Sequence, residues 1–208
     1  VAFARQQLVP LLADFLRQYP EVRIELDLSD RLASLATEGF DLAIRHSATA
    51  PDTHVAWTLC ETQSVLVATR AYLSRMGSPQ QPQELLGHNC LHYPRSQDRP
   101  AWTLEKRDPA GQERVTVQIS GSLAANNSEA LRDAALAGLG IALLPDFSAQ
   151  AGLQADELVR VLPDWTPVDS FAGQLHAIRP YSAHVPRAVS ALVAFLRERL
   201  APGFGAGL

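Results

Sequence analysis

Apolar residues recur along this chain with two different periods, which predict alternating helices and strands. Leu8, Leu12 and Phe15 return at helical spacing and predict an amphipathic helix. Pro20 disfavours helical backbone in the residue before it, so this helix should end near Tyr19. Helical spacing and capping residues predict further helices over 32–36, 70–73, 82–86, 145–149 and 185–200.

Alternation with a period of two marks the first predicted strand, where Ile24, Leu26 and Leu28 alternate with charged residues. Short apolar runs predict further strands over 41–45, 64–68, 90–93, 141–144, 158–162 and 175–178, and a hairpin joins 102–104 to 115–119 around a polar turn. The mixture of helices and strands predicts an α/β protein with mixed sheets.

The pattern of apolar and polar residues changes after Met76 and again near Ile178. This predicts two lobes, with the chain crossing twice from one lobe to the other. We expect lobe I to span residues 1–72, lobe II to span 73–176, and residues 177–208 to return to lobe I. A cleft between two such lobes is the default place for a ligand.

One stretch, residues 126–145, combines a helix start, a glycine stop and a buried strand. Asn126 is a good helix cap, and Glu129 follows three residues later, as in a capping box. Gly138 can adopt the left-handed conformation that ends a helix. Free backbone N–H groups at a helix N-terminus favour an anionic or carbonyl-bearing ligand, so we expect this stretch to contact a small molecule.

Composition favours a globular protein with a proper core. The chain has 208 residues, of which 47% are hydrophobic and 19% charged. Its net charge of −4 makes it a poor candidate for binding DNA or an anionic membrane directly, and no apolar run reaches the length of a membrane span. Cys60 and Cys90 fit a reduced compartment better than a disulfide framework, although one bridge stays open. We therefore expect a cytoplasmic protein.

Several residue patterns suggest chemistry, and each has a structural alternative. His88 and His92 have the spacing of a metal-binding pair on a helix, but 90–93 has the pattern of a strand, which favours a structural role. Ser128 lacks the glycines of a nucleophile elbow. Cys60 and Cys90 are expected to be buried filler, with redox sensing as the alternative. We therefore expect no catalytic centre, no metal and no cofactor.

A series of stretches, taken in order, resembles the effector-binding domain of LysR-type transcriptional regulators. No single stretch is diagnostic, but the ordered series spans nearly the whole chain. The matching stretches are 8–12 with Phe15, 19–22, 38–45, Pro82 with Leu85, 88–91, 126–145, 158–162 and 186–200.

The resemblance implies an α/β fold of two Rossmann-like lobes of the periplasmic-binding-protein type II kind, with a cleft between them. It implies a homodimer, which becomes a tetramer in the full-length protein, with helices 8–16 and the one around Ala134 at the interface. The alternative is that these helices pack only on their own sheets. Promoter DNA would be contacted through an N-terminal winged helix-turn-helix that this sequence lacks, and RNA polymerase is a further candidate partner. The family's first strand would also precede Val1.

Carried onto matching positions, the resemblance places the effector among polar residues that follow strands or begin helices, where open α/β sheets bind ligands. The Arg45 guanidinium could hold a carboxylate, and the alternative is a surface ion pair with Asp30 or Asp52. The expected effector-binding residues are Ser29, Asp30, Arg45, His46, Ser47, Thr69, Tyr93, Asn126, Asn127 and Ser128.

The sequence therefore predicts the sensory half of a bacterial transcriptional regulator, in which a small anionic metabolite favours one of two arrangements of the protein. The alternative is a periplasmic solute-binding protein of a transporter, which shares this fold. The absence of a signal-peptide pattern counts against that alternative. A helix-turn-helix encoded upstream would support the regulator, and a secretion signal would support the solute-binding protein.

Overall fold

The structure, a computed structural model, describes residues 1–29, 39–47, 54–94, 99–108, 111–182 and 184–205. It divides into two compact units: Phe3–Thr62 with Ala172–Ala206, and Gln63–Phe171. The chain thus changes unit after Thr62 and after Phe171, whereas the sequence pattern placed these changes after residues 72 and 176. The first change comes earlier because residues 64–68 hydrogen-bond into the sheet of the second unit.

The described residues contain both helices and strands, as the pattern predicts, with runs of up to three strands between helices. The helices are α1 Val9–Gln18, α2 Arg70–Met76, α3 Ser128–Leu136, α4 Asp146–Gln154 and α5 Arg187–Leu200, with a π-helical turn at Ala4–Leu8 and a 3-10 helix at Pro82–Gly87. The strands are β1 Ala43–His46, β2 His54–Glu61, β3 Ser64–Ala68, β4 Cys90–Leu91, β5 Ala101–Asp108, β6 Gly111–Gln118, β7 Ile141–Pro145, β8 Val159–Arg160, β9 Thr166–Val168 and β10 Gln174–Pro180.

The two α-helices described in the first unit, α1 and α5, pack through the apolar faces that the sequence predicts. Phe15 of α1 is fully buried, and its ring lies 5.4 Å from the ring of Phe195 in α5. Leu12 and Leu196 are buried on the same faces. Burial of one such side chain stabilises the fold by roughly 1.5–3 kcal/mol, so this pairing holds the two ends of the chain together.

Strands β1, β10 and β2 form an antiparallel sheet in that order. The sequence pattern missed β2. A bulge shifts the register between Leu175 and His176, so the adjacent residues Leu59 and Cys60 are both buried. A bulge breaks the strict alternation by which a strand is recognised in a sequence.

The predicted strand over 24–28 is wrong. Residues 22–29 form no strand, and Leu26 and Leu28 are 41% and 38% exposed. None of the described strands of the first unit pairs with this segment, so its alternating residues have no sheet on which to bury their apolar half. The predicted helix over 32–36 falls on residues outside the described ranges.

The strands described in the second unit form two sheets, with orders β4-β7-β3-β8 and β6-β5-β9. Strand β7 is buried throughout, as its unbroken apolar run predicts, and it runs parallel to β4 but antiparallel to β3. The side chains of β3 alternate between two cores. Val65 and Val67 pack with Leu131 of α3, and Leu66 packs with Trp102 of β5. The first sheet is therefore covered by helices on one face and by the predicted hairpin on the other.

The glycines after α3 end the helix and allow close packing. Gly138 has a φ of +74°, the left-handed conformation that ends a helix. A Cβ added at Gly140 would lie 2.1 Å from the carbonyl oxygen of Asn89. Only glycine therefore allows the start of β7 to approach the segment before β4 this closely.

The described helices include none that is both long and apolar enough to cross a membrane.

Candidate ligand-binding site

One edge of the β4-β7-β3-β8 sheet gathers the polar residues that follow its strands. Because β4 and β7 are parallel, their carboxyl ends lie at the same edge, which is where open α/β sheets bind ligands. The backbone N–H of Ala125 donates to the carbonyl oxygen of His92 at 3.1 Å. Tyr93 and Asn126 therefore continue from two neighbouring segments of this edge.

Asn127, and not Asn126, caps helix α3. Its extended backbone (φ −141°, ψ 122°) precedes the helix, and its side-chain oxygen accepts hydrogen bonds from the backbone N–H groups of Glu129 and Ala130 at 2.9 and 3.1 Å. The predicted capping box is therefore wrong, because Glu129 lies only two residues after the actual cap. Asn126 is exposed beside the cap and keeps its side chain outside this interaction.

Ser128 lies inside the protein. It is 6% exposed, and its Oγ lies 2.9 Å from the Oγ of Ser148, which is fully buried. This hydroxyl pair joins the first turns of α3 and α4. The hydroxyl of Ser128 thus has a structural partner at the helix start where the sequence placed a ligand.

Thr69 lies at the opposite edge of the sheet from Asn127. Its Oγ1 accepts from the backbone N–H of Tyr72 at 3.2 Å and caps α2. Arg75 of that helix donates to the carbonyl oxygen of Gly138, at the far end of α3. Nine helical residues span about 13 Å. The grouping of Thr69 with residues 126–128 fails because β3 is antiparallel to β7, so its carboxyl end faces the other way.

In the first unit, the predicted residues at the end of β1 lie beside the start of β10. Thr62 donates its hydroxyl to the carbonyl oxygen of Ala172 at 2.9 Å, so its Oγ1 accepts from the Nε2 of His46, 2.8 Å away. The backbone N–H of Ser47 donates to Gln174 at 3.1 Å. Within the described part of the chain, the buried Oγ of Ser47 has no hydrogen-bond partner. The end of β1 is therefore hydrogen-bonded to residues that lie next to the two points at which the chain changes unit.

Three further residues were predicted to bind the effector: Arg45, Ser29 and Asp30. Arg45 lies opposite His176 in the sheet and is half-buried. Ser29 is exposed in the irregular segment after α1. Asp30 falls outside the described ranges, as does Asp52, so the ion pairs suggested for Arg45 are not described.

A cavity of about 270 Å³ opens within the second unit, next to the edge that carries Tyr93. The rings of Tyr93 and Phe171 meet edge to face, with centroids 5.8 Å apart and planes at 83°. Trp102 of β5, which is 4% exposed, and Leu143 of β7 close the apolar side. The cavity thus lies where the two sheets of this unit meet.

Four polar residues also line this cavity. The Nδ1 of His92 lies 3.2 Å from the carbonyl oxygen of Cys90 and must carry the proton of that hydrogen bond, which leaves Nε2 as an acceptor in the neutral ring. Ser170 donates to Val168, and Asp169 is ion-paired with Arg114. Arg99 is exposed and has no ion-pair partner among the described residues.

Tyr93, which the sequence predicts to bind the effector, lines this cavity, whereas Arg99, Trp102 and Phe171 line it without having been predicted. Trp102 has the pattern of a core residue, which it also is. The available signal was position, because Pro94 and Pro100 bracket the connection between β4 and β5, and Phe171 comes three residues after the end of β9.

Asp146 is a buried carboxyl group that the sequence did not suggest. It is 2% exposed, and its two oxygens accept from the backbone N–H groups of Gln63 and Phe147 at 2.9 and 2.8 Å. Burial raises the pKa of this carboxyl to about 6, against the opposing effect of the two hydrogen bonds. Asp146 therefore fixes the first residue of the second unit, Gln63.

The histidines and cysteines have structural surroundings. His88 contacts the hydroxyl of Tyr72 at 3.2 Å, and burial lowers its pKa. Cys60 and Cys90 are buried free thiols, as predicted, and burial raises the pKa of Cys90 to about 12. The described residues contain no group of three or more histidine, cysteine or acidic side chains arranged to hold a metal.

Known proteins match this chain over nearly its full length. Residues 1–201 match the LysR substrate binding domain family. The probable HTH-type transcriptional regulator LtrA of Klebsiella pneumoniae is 33% identical over 207 residues, covering 99% of this chain and 65% of that protein. The HTH-type transcriptional regulator PtxR of Pseudomonas aeruginosa is 33% identical over 203 residues, covering 95% of this chain and 61% of that protein. The chain thus spans less than two thirds of each relative.

Solved structures agree with these relatives. The regulatory domain of CrgA, a LysR-type transcriptional regulator from Neisseria meningitidis, matches with a TM-score of 0.81 and 27% identity, covering 97% of this chain and 95% of that chain. The full-length Vibrio cholerae virulence activator AphB matches with a TM-score of 0.79 and 26% identity, covering 95% and 65%. Such regulatory domains have the periplasmic-binding-protein type II two-lobe fold, so the predicted fold class is confirmed. The match extends through both units and agrees in sequence and in structure, and this chain therefore belongs to the LysR substrate binding domain family.

Proposed function

We propose that this chain is the sensory part of a transcriptional regulator, which binds a small molecule and thereby controls DNA binding by a segment outside residues 1–208. The relatives that carry the proposal are named as transcriptional regulators and exceed this chain by more than a third of their length. The alternative of a transport protein is not favoured, because the family and the reported relatives are regulators.

The small molecule is proposed to bind at the polar edge of the second unit, in the cavity beside Tyr93. Tyr93 and Asn126, both in the second unit, remain in the proposed site, and a role in ligand binding for Arg45, His46 and Ser47 of the first unit stays a prediction from the sequence. Thr69 and Ser128 are left out because one lies at the opposite sheet edge and the other has a buried hydroxyl partner. A cavity guanidinium that forms no ion pair with any described residue supports an anionic ligand.

The proposal assigns no catalysis to the chain, and no metal or cofactor takes part in it. The proposed partners are a second copy of the chain, a tetramer in the full-length protein, promoter DNA through the segment outside this chain, and RNA polymerase at the promoter. The proposed compartment is the cytoplasm.

Footprinting on the DNA upstream of its own gene tests this function. We expect the complete gene product to protect a defined DNA segment and residues 1–208 alone to protect none. A small acid that raises the melting temperature of the 208-residue chain should change the length or the affinity of that footprint. Such linkage requires that the ligand bind the two states of the regulator unequally.

A ligand that stabilises the chain but leaves both the footprint and its affinity unchanged at saturation contradicts the proposed function. Failure of the complete gene product to bind any DNA near its gene also contradicts it.

A further inference from the structure

The apolar walls of the cavity in the second unit have the geometry that accepts a flat ring. Tyr93 and Phe171 contact each other edge to face at 83°, so the two rings hold each other in place as one aromatic wall. Trp102 forms a third aromatic wall, and Pro100 has the fixed φ of its ring. A planar guest can contact these walls without ordering flexible side chains, which favours aromatic over aliphatic ligands.

One positively charged side chain of the cavity is available to an anion. Asp169 lies on the wall but is compensated by Arg114, which also contacts Glu105 at 3.1 Å. Arg99 is the cavity charge that lacks such compensation among the described residues. A guanidinium offers parallel N–H donors that fit the two oxygens of a carboxylate. The charge of Arg99 therefore matches one carboxylate.

The volume limits the size of the guest. The cavity measures about 270 Å³, and a cavity of about 150 Å³ in another protein is known to hold benzene. The space thus suffices for one ring with a carboxylate and one small substituent. A fused two-ring acid exceeds it unless the walls move.

We propose that this cavity is a binding site for monocyclic aromatic carboxylates, with the ring against the aromatic wall formed by Tyr93, Phe171 and Trp102 and the carboxylate on Arg99. This inference rests on the proposed function, because it names the chemical class of the sensed molecule. It also assigns Arg99 and Phe171 as specificity-determining residues, neither of which the sequence pattern suggested.

Calorimetric titration of the 208-residue chain with four probes of related size tests the chemical class. Benzoate is the reference, benzamide removes the charge, cyclohexanecarboxylate removes the planarity, and 2-naphthoate adds a second ring. We expect benzoate to bind at least tenfold more tightly than each of the other three. Equal binding of benzoate and cyclohexanecarboxylate, or of benzoate and benzamide, overturns the assignment of the class.

Variants of two arginines locate the carboxylate. Arg99→Gln should weaken benzoate binding at least tenfold, and Arg99→Lys should retain part of the affinity. Arg114→Gln should also weaken it, because the Asp169 carboxylate on the wall then loses its compensating charge. The matched control is Arg70→Gln, an exposed arginine that pairs with Asp156 at the opposite edge of the sheet and should leave the affinity unchanged.

The indole N–H signals in a nitrogen–proton correlation spectrum locate the ring. Benzoate should shift the signal of Trp102 more than those of Trp57 and Trp165, since Trp102 lines the cavity. Unchanged benzoate affinity in Arg99→Gln, or a largest shift at Trp57, overturns the site. Absence of benzoate binding overturns the inference and leaves the proposed function standing, because another stabilising ligand can still change the DNA footprint.

Discussion

At the residue scale, the buried carboxyl group of Asp146 makes the stability of the folded chain depend on pH. Its pKa is raised by burial from 3.8 to about 6, so between these values the folded chain holds a proton that the unfolded chain releases. The free energy of unfolding is therefore expected to fall as pH rises from about 4 to about 6 and to level off above that. The shift of about 2 units sets an upper limit of roughly 3 kcal/mol on this change.

Asp146→Asn is expected to remove this part of the pH dependence. The amide nitrogen cannot accept a hydrogen bond, as either oxygen of the carboxyl group can, so the variant leaves Gln63 or Phe147 with an unmet N–H and loses about 1–3 kcal/mol of stability. Urea midpoints measured between pH 4 and pH 7 check both effects. Asp133→Asn, which alters an exposed carboxylate on α3, is the control. Parallel pH profiles of the parent chain and the variant carrying Asp146→Asn would show that Asp146 titrates normally.

At the element scale, the start of helix α3 depends on a cap whose position differs by one residue from the sequence pattern. Asn127→Ala should destabilise the chain by about 1 kcal/mol, because its oxygen satisfies two backbone N–H groups of the first turn. Asn126→Ala should change stability by less than about 0.5 kcal/mol, as expected for an exposed position. Thermal unfolding of the two variants compares the positions directly. A larger loss for Asn126→Ala would contradict the observed cap.

The same element shows which structural features the sequence predicts and which it does not. Residues 126–145 revealed the helix, its glycine stop and the buried strand, since each has a local physical signature. The orientation of β3 has no such signature, because a short apolar strand packs equally well in either direction. Thr69 was therefore grouped with Asn127, although it lies at the other edge of the sheet. The cavity escaped sequence reasoning for the same reason, since Tyr93, Trp102 and Phe171 meet only through tertiary packing.

At the scale of the whole molecule, the family resemblance predicts a dimer formed through the helix over residues 8–16. Val9 of α1 is apolar and 43% exposed, so it is an accessible position at which to test this predicted interface. Sedimentation equilibrium at high micromolar concentration should report a dimer, and Val9→Glu should weaken it at least tenfold. Leu86→Glu is the matched control, because Leu86 is 63% exposed on the 3-10 helix of the second unit. A monomer at this concentration, or equal effects of the two substitutions, would remove support for the α1 interface.

The two changes of unit, after Thr62 and after Phe171, make the second unit one uninterrupted stretch of chain inserted into the first. The residues that flank the insertion are already neighbours in the first unit, since the backbone N–H of Thr62 donates to Gly173 at 2.9 Å and its hydroxyl donates to Ala172. A short glycine bridge from Thr62 to Ala172 could therefore replace the whole insertion. Residues 63–171 could in turn be moved between relatives as a cassette, exchanging the cavity beside Tyr93 without a new junction inside any strand.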